Sequence, residues 1–178
     1  MVASSSLREL DRQLAAIVRP ALEPSGFMAG DLRSFRRIRA GEHGTLAHIV
    51  QFQIGIRALA GKFTVNLVVY HSAFCPEPGN VPAESATSAD THLRLTARIG
   101  LLAPEPPGIL NALFRRGPRE PGDRWWSQSD RPAVMSKTLR QVVTLIETHA
   151  PRWFEENGSE ARCRQEHEIV LARRNRAP

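Results

Sequence analysis

The fold is decided by the stretch His48-Ile-Val-Gln-Phe-Gln-Ile-Gly-Ile56, which is joined through Arg57-Ala-Leu-Ala-Gly61 to Lys62-Phe-Thr-Val-Asn-Leu-Val-Val-Tyr70. In both outer segments apolar and polar residues alternate, which is the pattern of a β-strand with one buried face. Because the connection is short and carries a glycine, the two strands are predicted to form an antiparallel hairpin. One face is predicted to be apolar (Val50, Phe52, Ile54, Ile56, Phe63, Val65, Leu67, Val69) and the other polar (Gln51, Gln53, Thr64, Asn66).

The residues before the hairpin predict a helix and a short strand. Ser6 and Glu9 have the spacing of a capping box, and apolar residues recur every three or four positions from Leu7 to Val18. This pattern predicts a helix that ends before Pro24. Residues 32–39 predict a strand, and residues 41–44 predict the turn that leads into the hairpin.

The residues after the hairpin predict one more strand between two loops. Residues 75–90 and 104–122 are rich in proline and glycine, which is typical of loops, and residues 109–114 within the second loop predict a helical turn. Alternation over residues 92–99 predicts a strand, with Leu93, Leu95, Ala97 and Ile99 inward and Arg94, Thr96 and Arg98 outward.

Two helices are predicted at the C-terminal end. The first covers residues 136–149 and is expected to end before Pro151, and Ser159 is expected to cap a charged second helix that reaches about Ala172. The order of elements predicts an α+β fold, an antiparallel sheet of four to five strands with helices packed on one face. Residues 1–158 are predicted to form a single domain, followed by a charged helix and a frayed tail over residues 159–178.

Composition sets limits on the class of protein. The chain has 178 residues, a formal net charge of +6 and two cysteines, too few for a secreted disulfide framework. It has no apolar run long enough to cross a membrane, and its first dozen residues are too polar for a secretory signal. We therefore expect a cytoplasmic protein with no membrane partner.

Several short motifs occur in an order that resembles a known family. They are Gly26-Phe27, Phe35-Arg36-Arg37, Val50-Gln-Phe-Gln53, Phe63-Thr-Val-Asn-Leu-Val-Val-Tyr70, Arg98-Ile-Gly100, Trp125-Trp126 and Pro151-Arg-Trp-Phe154. Together they are similar to the bacterial family called domain of unknown function 4304, over about residues 7–154. The resemblance implies the α+β fold and carries no activity, cofactor or catalytic residue.

The polar face of the predicted sheet is the candidate binding site. Amide and guanidinium groups on neighbouring strands can hydrogen-bond a peptide backbone, a carboxylate or a phosphate. The candidate binding residues are Gln51, Gln53, Asn66, Tyr70, Arg94 and Arg98, with Trp126 or its neighbour Trp125 at the rim. The alternative interpretation is that this face is only the solvated side of an antiparallel sheet.

One arrangement has the spacing of a zinc site. His71 and Cys75 lie four residues apart, as do Cys163 and His167, and on a helix the second pair would share one face. The alternative is that Cys75 is a small buried residue and Cys163 an exposed one, and no metal or other cofactor is expected.

The sequence carries no nucleophile elbow, zinc-protease helix or phosphate-binding glycine loop. The leading hypothesis is therefore a non-catalytic module that binds a protein, for example as an inhibitor or immunity-type partner of a bacterial toxin.

The first alternative is a nucleic-acid-associated protein that uses basic clusters to bind phosphate (Arg36, Arg37, Arg39, Arg173, Arg174, Arg176). The weaker alternative is an enzyme with a site around His71, Asp90 and His92. The oligomeric state stays open.

Overall fold

The computed structural model describes residues 4–31, 33–103 and 123–175. In these residues six strands form one antiparallel sheet: β1 (Met28–Ala29), β2 (Ser34–Ala40), β3 (Thr45–Ile54), β4 (Lys62–His71), β5 (Thr96–Arg98) and β6 (Trp126–Ser127). The α-helices are α1 (Ser5–Gln13), α2 (Arg19–Leu22), α3 (Ile99–Leu102), α4 (Pro132–Asn157) and α5 (Glu160–Arg174). Short 3₁₀ turns cover Glu23–Ser25, Arg57–Leu59, Ser88–Asp90 and Leu93–Leu95. The predicted α+β class is confirmed.

The predicted hairpin is confirmed. β3 and β4 pair from Leu46 opposite His71 to Ile54 opposite Phe63. The strand order is β1-β2-β3-β4-β5, and β6 pairs with the start of β4. The hairpin therefore lies at the centre of the sheet, where both of its faces can be covered.

The apolar face of the hairpin forms the main core against α1 and α4. Its members are fully buried (Val50, Phe52, Phe63, Val65, Leu67, Val69), and each contributes about 1.5–3 kcal/mol. Ile54 is partly buried at the end of this face, and Ile56 is 75% exposed. The prediction that Ile56 shares this face is wrong because β3 ends at Ile54 and the chain turns into a 3₁₀ helix.

The opposite face is not open along its whole length. Residues 72–95 fold back across it, and small side chains of this segment, Cys75, Ala83 and Ala86, pack on Ile49 and Tyr70. A second apolar cluster thus lies on the face that was predicted to be polar and solvated. The composition of the segment predicts a loop and does not show where it packs.

The N-terminal helix begins earlier than predicted. Ser4, rather than Ser6, is the N-cap, and its Oγ accepts from the backbone N–H of Leu7 at 3.3 Å. Glu9 accepts instead from Arg12 and Gln13 on the same helix. A π-helical turn (Leu14–Val18) joins α1 to α2. α2 ends at Leu22, before Pro24 as predicted, and a 3₁₀ turn (Glu23–Ser25) that contains Pro24 follows it.

Pro151 does not end α4, contrary to prediction, because the helix runs on to Asn157. A proline inside a helix costs about 3 kcal/mol through the lost hydrogen bond and its ring. Trp153 and Phe154 are buried beyond it, and burial of two aromatic side chains offsets that cost. Ser159 caps α5 as predicted, since its Oγ accepts from the backbone N–H of Arg162.

The predicted strand over residues 92–99 is mostly wrong. Only Thr96–Arg98 pair with β4, while Leu93–Leu95 form a 3₁₀ turn and Ile99 begins α3. Leu93 is consequently 88% exposed.

The predicted helical turn over residues 109–114 lies outside the described residues, and the boundary at residue 158 stays a prediction. None of the described helices has the length and apolar character of a membrane span.

Candidate functional site

A groove of about 400 Å³ lies on the polar face, beside the part that residues 72–95 cover. β3, β4 and β5 supply its floor, and the 3₁₀ turns and α3 supply its walls. The residues that line it are Gln53, Asn66, Ser88, Leu93, Thr96, Ala97, Arg98, Leu101 and Asp123. The groove therefore brings together Gln53, Asn66 and Arg98 of the predicted binding residues.

Strand register explains why these side chains meet. Asn66 lies opposite Arg98, and Val68 lies opposite Thr96, so Asn66, Thr96 and Arg98 project from the same face. Asn66 donates from Nδ2 to Oε1 of Gln53 at 2.9 Å, which connects β4 to β3 across the floor.

The floor carries two buried acceptors without hydrogen bonds. Asn66 is 2% exposed, and neither its Oδ1 nor the Oγ1 of Thr96 has a partner within the described residues. A buried polar group without a partner costs about 1–3 kcal/mol. Neither atom is exposed to solvent, so a ligand with N–H or O–H donors would reach them only after side chains over the floor move.

The rim of the groove is apolar and electrically balanced. Leu93 and Leu101 are exposed at its edge. Arg98 forms an ion pair with Asp123, and its guanidinium lies 5.2 Å from the ring of Trp125. Trp125 in turn donates from Nε1 to Asp123 at 3.1 Å. The positive charge of Arg98 is thus matched by a local carboxylate.

Four of the predicted binding residues lie elsewhere. Gln51 is buried and accepts from the backbone N–H of Ser88 at 3.3 Å. Tyr70 is fully buried and donates to the carbonyl of Val81, and burial raises its pKa. Arg94 lies in a 3₁₀ turn and pairs with Glu166 at 3.9 Å.

Trp126 is the fourth, and it does not lie at the rim. It is buried in the main core and stacks on Phe63, with ring centroids 5.8 Å apart. The register of β6 explains this position, since Trp126 pairs with Phe63 and shares its inward face.

The four predicted zinc ligands do not converge. Cys75 is buried as expected, in the apolar cluster under residues 72–95. Cys163 is not exposed, contrary to expectation, because it lies in the main core on the other face of the sheet. His71 stacks on Phe74, and Nδ1 of His167 lies 3.2 Å from Nε2 of His92. No three of these side chains come within metal-binding distance in the described structure.

A different group, Glu42, His43 and Glu160, does bring potential metal ligands within 4.8 Å of one another. The Glu160 carboxylate already accepts from the backbone N–H groups of Glu42 at 2.7 Å and His43 at 3.1 Å, and it lies 2.5 Å from Nδ1 of His43. Burial disfavours its charge, but the hydrogen bonds from His43 and Glu42 outweigh burial and lower its pKa. Gly41 permits this approach, because an added Cβ would collide with the carboxylate.

His71 also presents a donor to Glu160 rather than a free lone pair. Its Nδ1 accepts from the backbone N–H of Ala73 at 3.2 Å, so the proton of the neutral ring is on Nε2, which lies 3.5 Å from Glu160. Arg164 adds a positive charge 3.7 Å from the same carboxylate. Donors thus surround Glu160, and the group connects α5 to the β2–β3 turn instead of forming a cation site.

The residues named for the other hypotheses are largely engaged in structure. Arg36 is buried and donates to the carbonyls of Ala83 at 3.3 Å and Ala86 at 2.5 Å. Asp90 accepts from the backbone N–H and the hydroxyl of Thr87 in a capping box. Neither side chain is available for phosphate binding or acid–base chemistry. Of the C-terminal arginines, Arg176 lies outside the described residues.

Sequence reasoning missed the walls of the groove. Leu93 was predicted to face inward on a strand. Leu101 and Asp123 lie on either side of the predicted loop over residues 104–122. The alternation is unbroken from Leu93 to Ile99, so the sequence carries no signal that places Leu93 outside the core. The sequence carries no signal that places Asp123 beside Arg98.

The motifs that predicted a family lie on this sheet and on the helices that cover it. The chain has no match among the curated proteins or the solved structures with which it was compared. A family model matches residues 18–156, which include β1 to β6 and nearly all of α4. The chain therefore belongs to the family described as a domain of unknown function (DUF4304).

Proposed function

We propose that this protein is a non-catalytic binding module that holds a segment of a partner protein in the groove between β3, β4 and β5. The observation that carries the proposal is the pair of buried acceptors, Asn66 Oδ1 and Thr96 Oγ1, on the floor of a groove with exposed leucines at its rim.

A peptide segment matches the chemistry of the groove. Its backbone N–H groups would donate to Asn66 and Thr96 once side chains over the floor move, and its apolar side chains would cover Leu93 and Leu101. The volume of about 400 Å³ lies within the range of sites that recognise small ligands or short segments. Hydrogen bonds to the backbone supply affinity, and the rim contacts supply specificity.

A nucleic acid matches it less well. Arg98 is neutralised by Asp123, and Arg36 and Arg37 hold backbone carbonyls or a histidine. Within the described residues, no aromatic side chain lines the groove as a platform on which bases would stack. We therefore favour a protein partner.

The proposal includes a location and one specific role. The two cysteines are buried and unpaired, which is consistent with a reducing compartment, so we place the module in the cytoplasm. An inhibitor or immunity-type protein that captures a toxin is one role that needs binding without catalysis. Identification of the partner is needed to test that role.

The test is selection of peptide ligands from random peptides displayed on phage, followed by affinity measurement with variants. We expect selected peptides to lose at least about tenfold in affinity for Arg98→Ala, which removes a groove side chain. Arg94→Ala is the matched control, because Arg94 is exposed and does not line the groove. It is expected to bind the same peptides as the wild type does.

Two results would contradict the proposal. One is the absence of any selected peptide that distinguishes Arg98→Ala from Arg94→Ala. The other is binding of a random single-stranded RNA with an affinity that falls steeply as salt rises, since that dependence is characteristic of phosphate contacts.

A further inference from the structure

A second pocket, of about 350 Å³, lies on the opposite side of the sheet from the groove, between the N-terminal helical segment and α4. Its walls are mainly apolar (Leu22, Phe27, Val50, Ile146, Ala150, Phe154). Among the residues that line it, one cationic side chain, Arg37, reaches the pocket from β2. A positive charge therefore lies at the edge of an apolar pocket.

Every hydrogen-bond acceptor that Arg37 has within the described residues is neutral. Its Nη1 donates to the carbonyl of Ser25 at 3.3 Å, and its Nη2 to Nδ1 of His48 at 2.9 Å. The guanidinium also lies 5.0 Å from the ring centroid of Phe27. Its Nε is buried and has no hydrogen-bond partner among the described residues.

The neutral state of His48 follows from its other contacts. Its Nε2 donates to the carbonyl of Gly158 at 2.8 Å, so Nδ1 carries the lone pair that accepts from Arg37. Burial lowers the pKa of His48 to about 4, which keeps the ring uncharged at neutral pH.

No carboxylate neutralises Arg37 within the described part of the chain. Glu147 lines the pocket, but its side chain is exposed and forms no ion pair with Arg37. Arg98 and Arg162 differ in this respect, because each pairs with an acidic residue. Burial lowers the pKa of Arg37, and an anion in the pocket would relieve that cost.

We infer that this pocket binds a small carboxylate with an apolar body, such as a medium-chain fatty acid, with its carboxylate on the guanidinium of Arg37 and its hydrocarbon between Phe27 and Phe154. A carboxylate supplies the acceptor and the negative charge that Arg37 lacks. An apolar body covers the walls. This site is separate from the groove and does not depend on the proposed function.

Calorimetric titration with octanoate, octan-1-ol and octylamine tests the inference, since the three probes share a tail and differ in charge. We expect octanoate to bind at least about tenfold more tightly than the other two, because a hydrogen bond to a charged group contributes about 1.5–3 kcal/mol. Arg37→Gln is expected to remove this preference. Arg39→Gln is the matched control, because Arg39 lies on the same strand, is exposed and does not line the pocket.

A second variant keeps the test valid if Arg37→Gln unfolds. Ala150→Leu leaves Arg37 in place and fills part of the pocket, so it is expected to weaken octanoate binding while thermal unfolding confirms the fold. Equal affinity for all three probes would overturn the inference. So would octanoate binding that Ala150→Leu leaves unchanged.

Discussion

Arg37 and His48 lie directly opposite each other on β2 and β3, and Arg37 donates to Nδ1 of His48 at 2.9 Å. The imidazole ring stacks on Phe154, with centroids 4.7 Å apart, and donates to Gly158 beyond the end of α4. This pair therefore connects the centre of the sheet to the longest described helix. It also holds His48 in its neutral form, which makes the stability of the fold depend on pH.

Acid is expected to destabilise the protein partly through His48. Burial lowers its pKa from 6.5 to about 4, so the unfolded chain binds a proton more readily than the folded chain between these values. The stability from the neutral ring is present above pH 6.5 and is lost as pH falls towards 4; the difference corresponds to about 3 kcal/mol.

Urea unfolding of the wild type and His48→Gln from pH 7 to pH 4 measures this effect. Burial also lowers the pKa of His71 and His92, so the wild type has other contributions in the same range. The comparison isolates His48, and the variant is expected to lose less stability over this range. Parallel curves for the two proteins would contradict the assignment.

Thr96→Val is expected to raise the free energy of unfolding and to weaken peptide binding. The variant removes a buried hydroxyl without a partner from the groove floor, so the free protein should become more stable by about 1 kcal/mol. Peptides selected on the wild type should bind it more weakly. Thr144→Val on α4 is the control, because that hydroxyl is exposed and bonded to the carbonyl of Arg140. A loss of stability in Thr96→Val would show that the hydroxyl has a structural partner.

Glu160→Ala is expected to loosen the contact between α5 and the β2–β3 turn. Glu160 accepts from the backbone of Glu42 and His43, and the variant leaves those groups to solvent. Hydrogen exchange should therefore become faster over residues 41–44 and over the first turn of α5. Glu168→Ala, on the exposed face of the same helix, should leave exchange unchanged. Equal exchange in both variants would argue against the connection.

Both cysteines are expected to be protected from thiol reagents in the folded state. Cys75 and Cys163 are buried, and burial raises the pKa of the Cys163 thiol to about 12. The thiolate is the reactive form, so labelling should follow unfolding. A colorimetric thiol assay with and without denaturant checks this, and rapid labelling of native protein would contradict the burial of these side chains.

Local sequence patterns correctly predicted the elements whose buried residues recur at a regular spacing along the chain. The alternation from Val50 to Val69 was sufficient for the hairpin and its apolar face. Ser159 and the turn at residues 41–44 also lie where capping and turn residues predict them. These features depend on neighbours in sequence.

The candidate site was predicted only in part, because it depends on distant contacts. Gln53, Asn66 and Arg98 do share one face, as the alternation indicates. Tyr70 and Gln51 are covered by residues 72–95, and a loop composition does not show that its alanines pack on Ile49. Pro151 was misjudged for a similar reason, since the buried side chains that offset its cost lie beyond it on the same helix.

The central claim is that a partner segment lies in the groove, and nuclear magnetic resonance of ¹⁵N-labelled protein tests it most directly. On titration with a selected peptide, we predict shifts of the side-chain amide of Asn66 and the backbone signals of Leu93 and Thr96. Signals of Ile56, an exposed apolar residue outside the groove, should stay in place. Shifts confined to other surfaces, with Asn66 and Thr96 unmoved, would contradict the account.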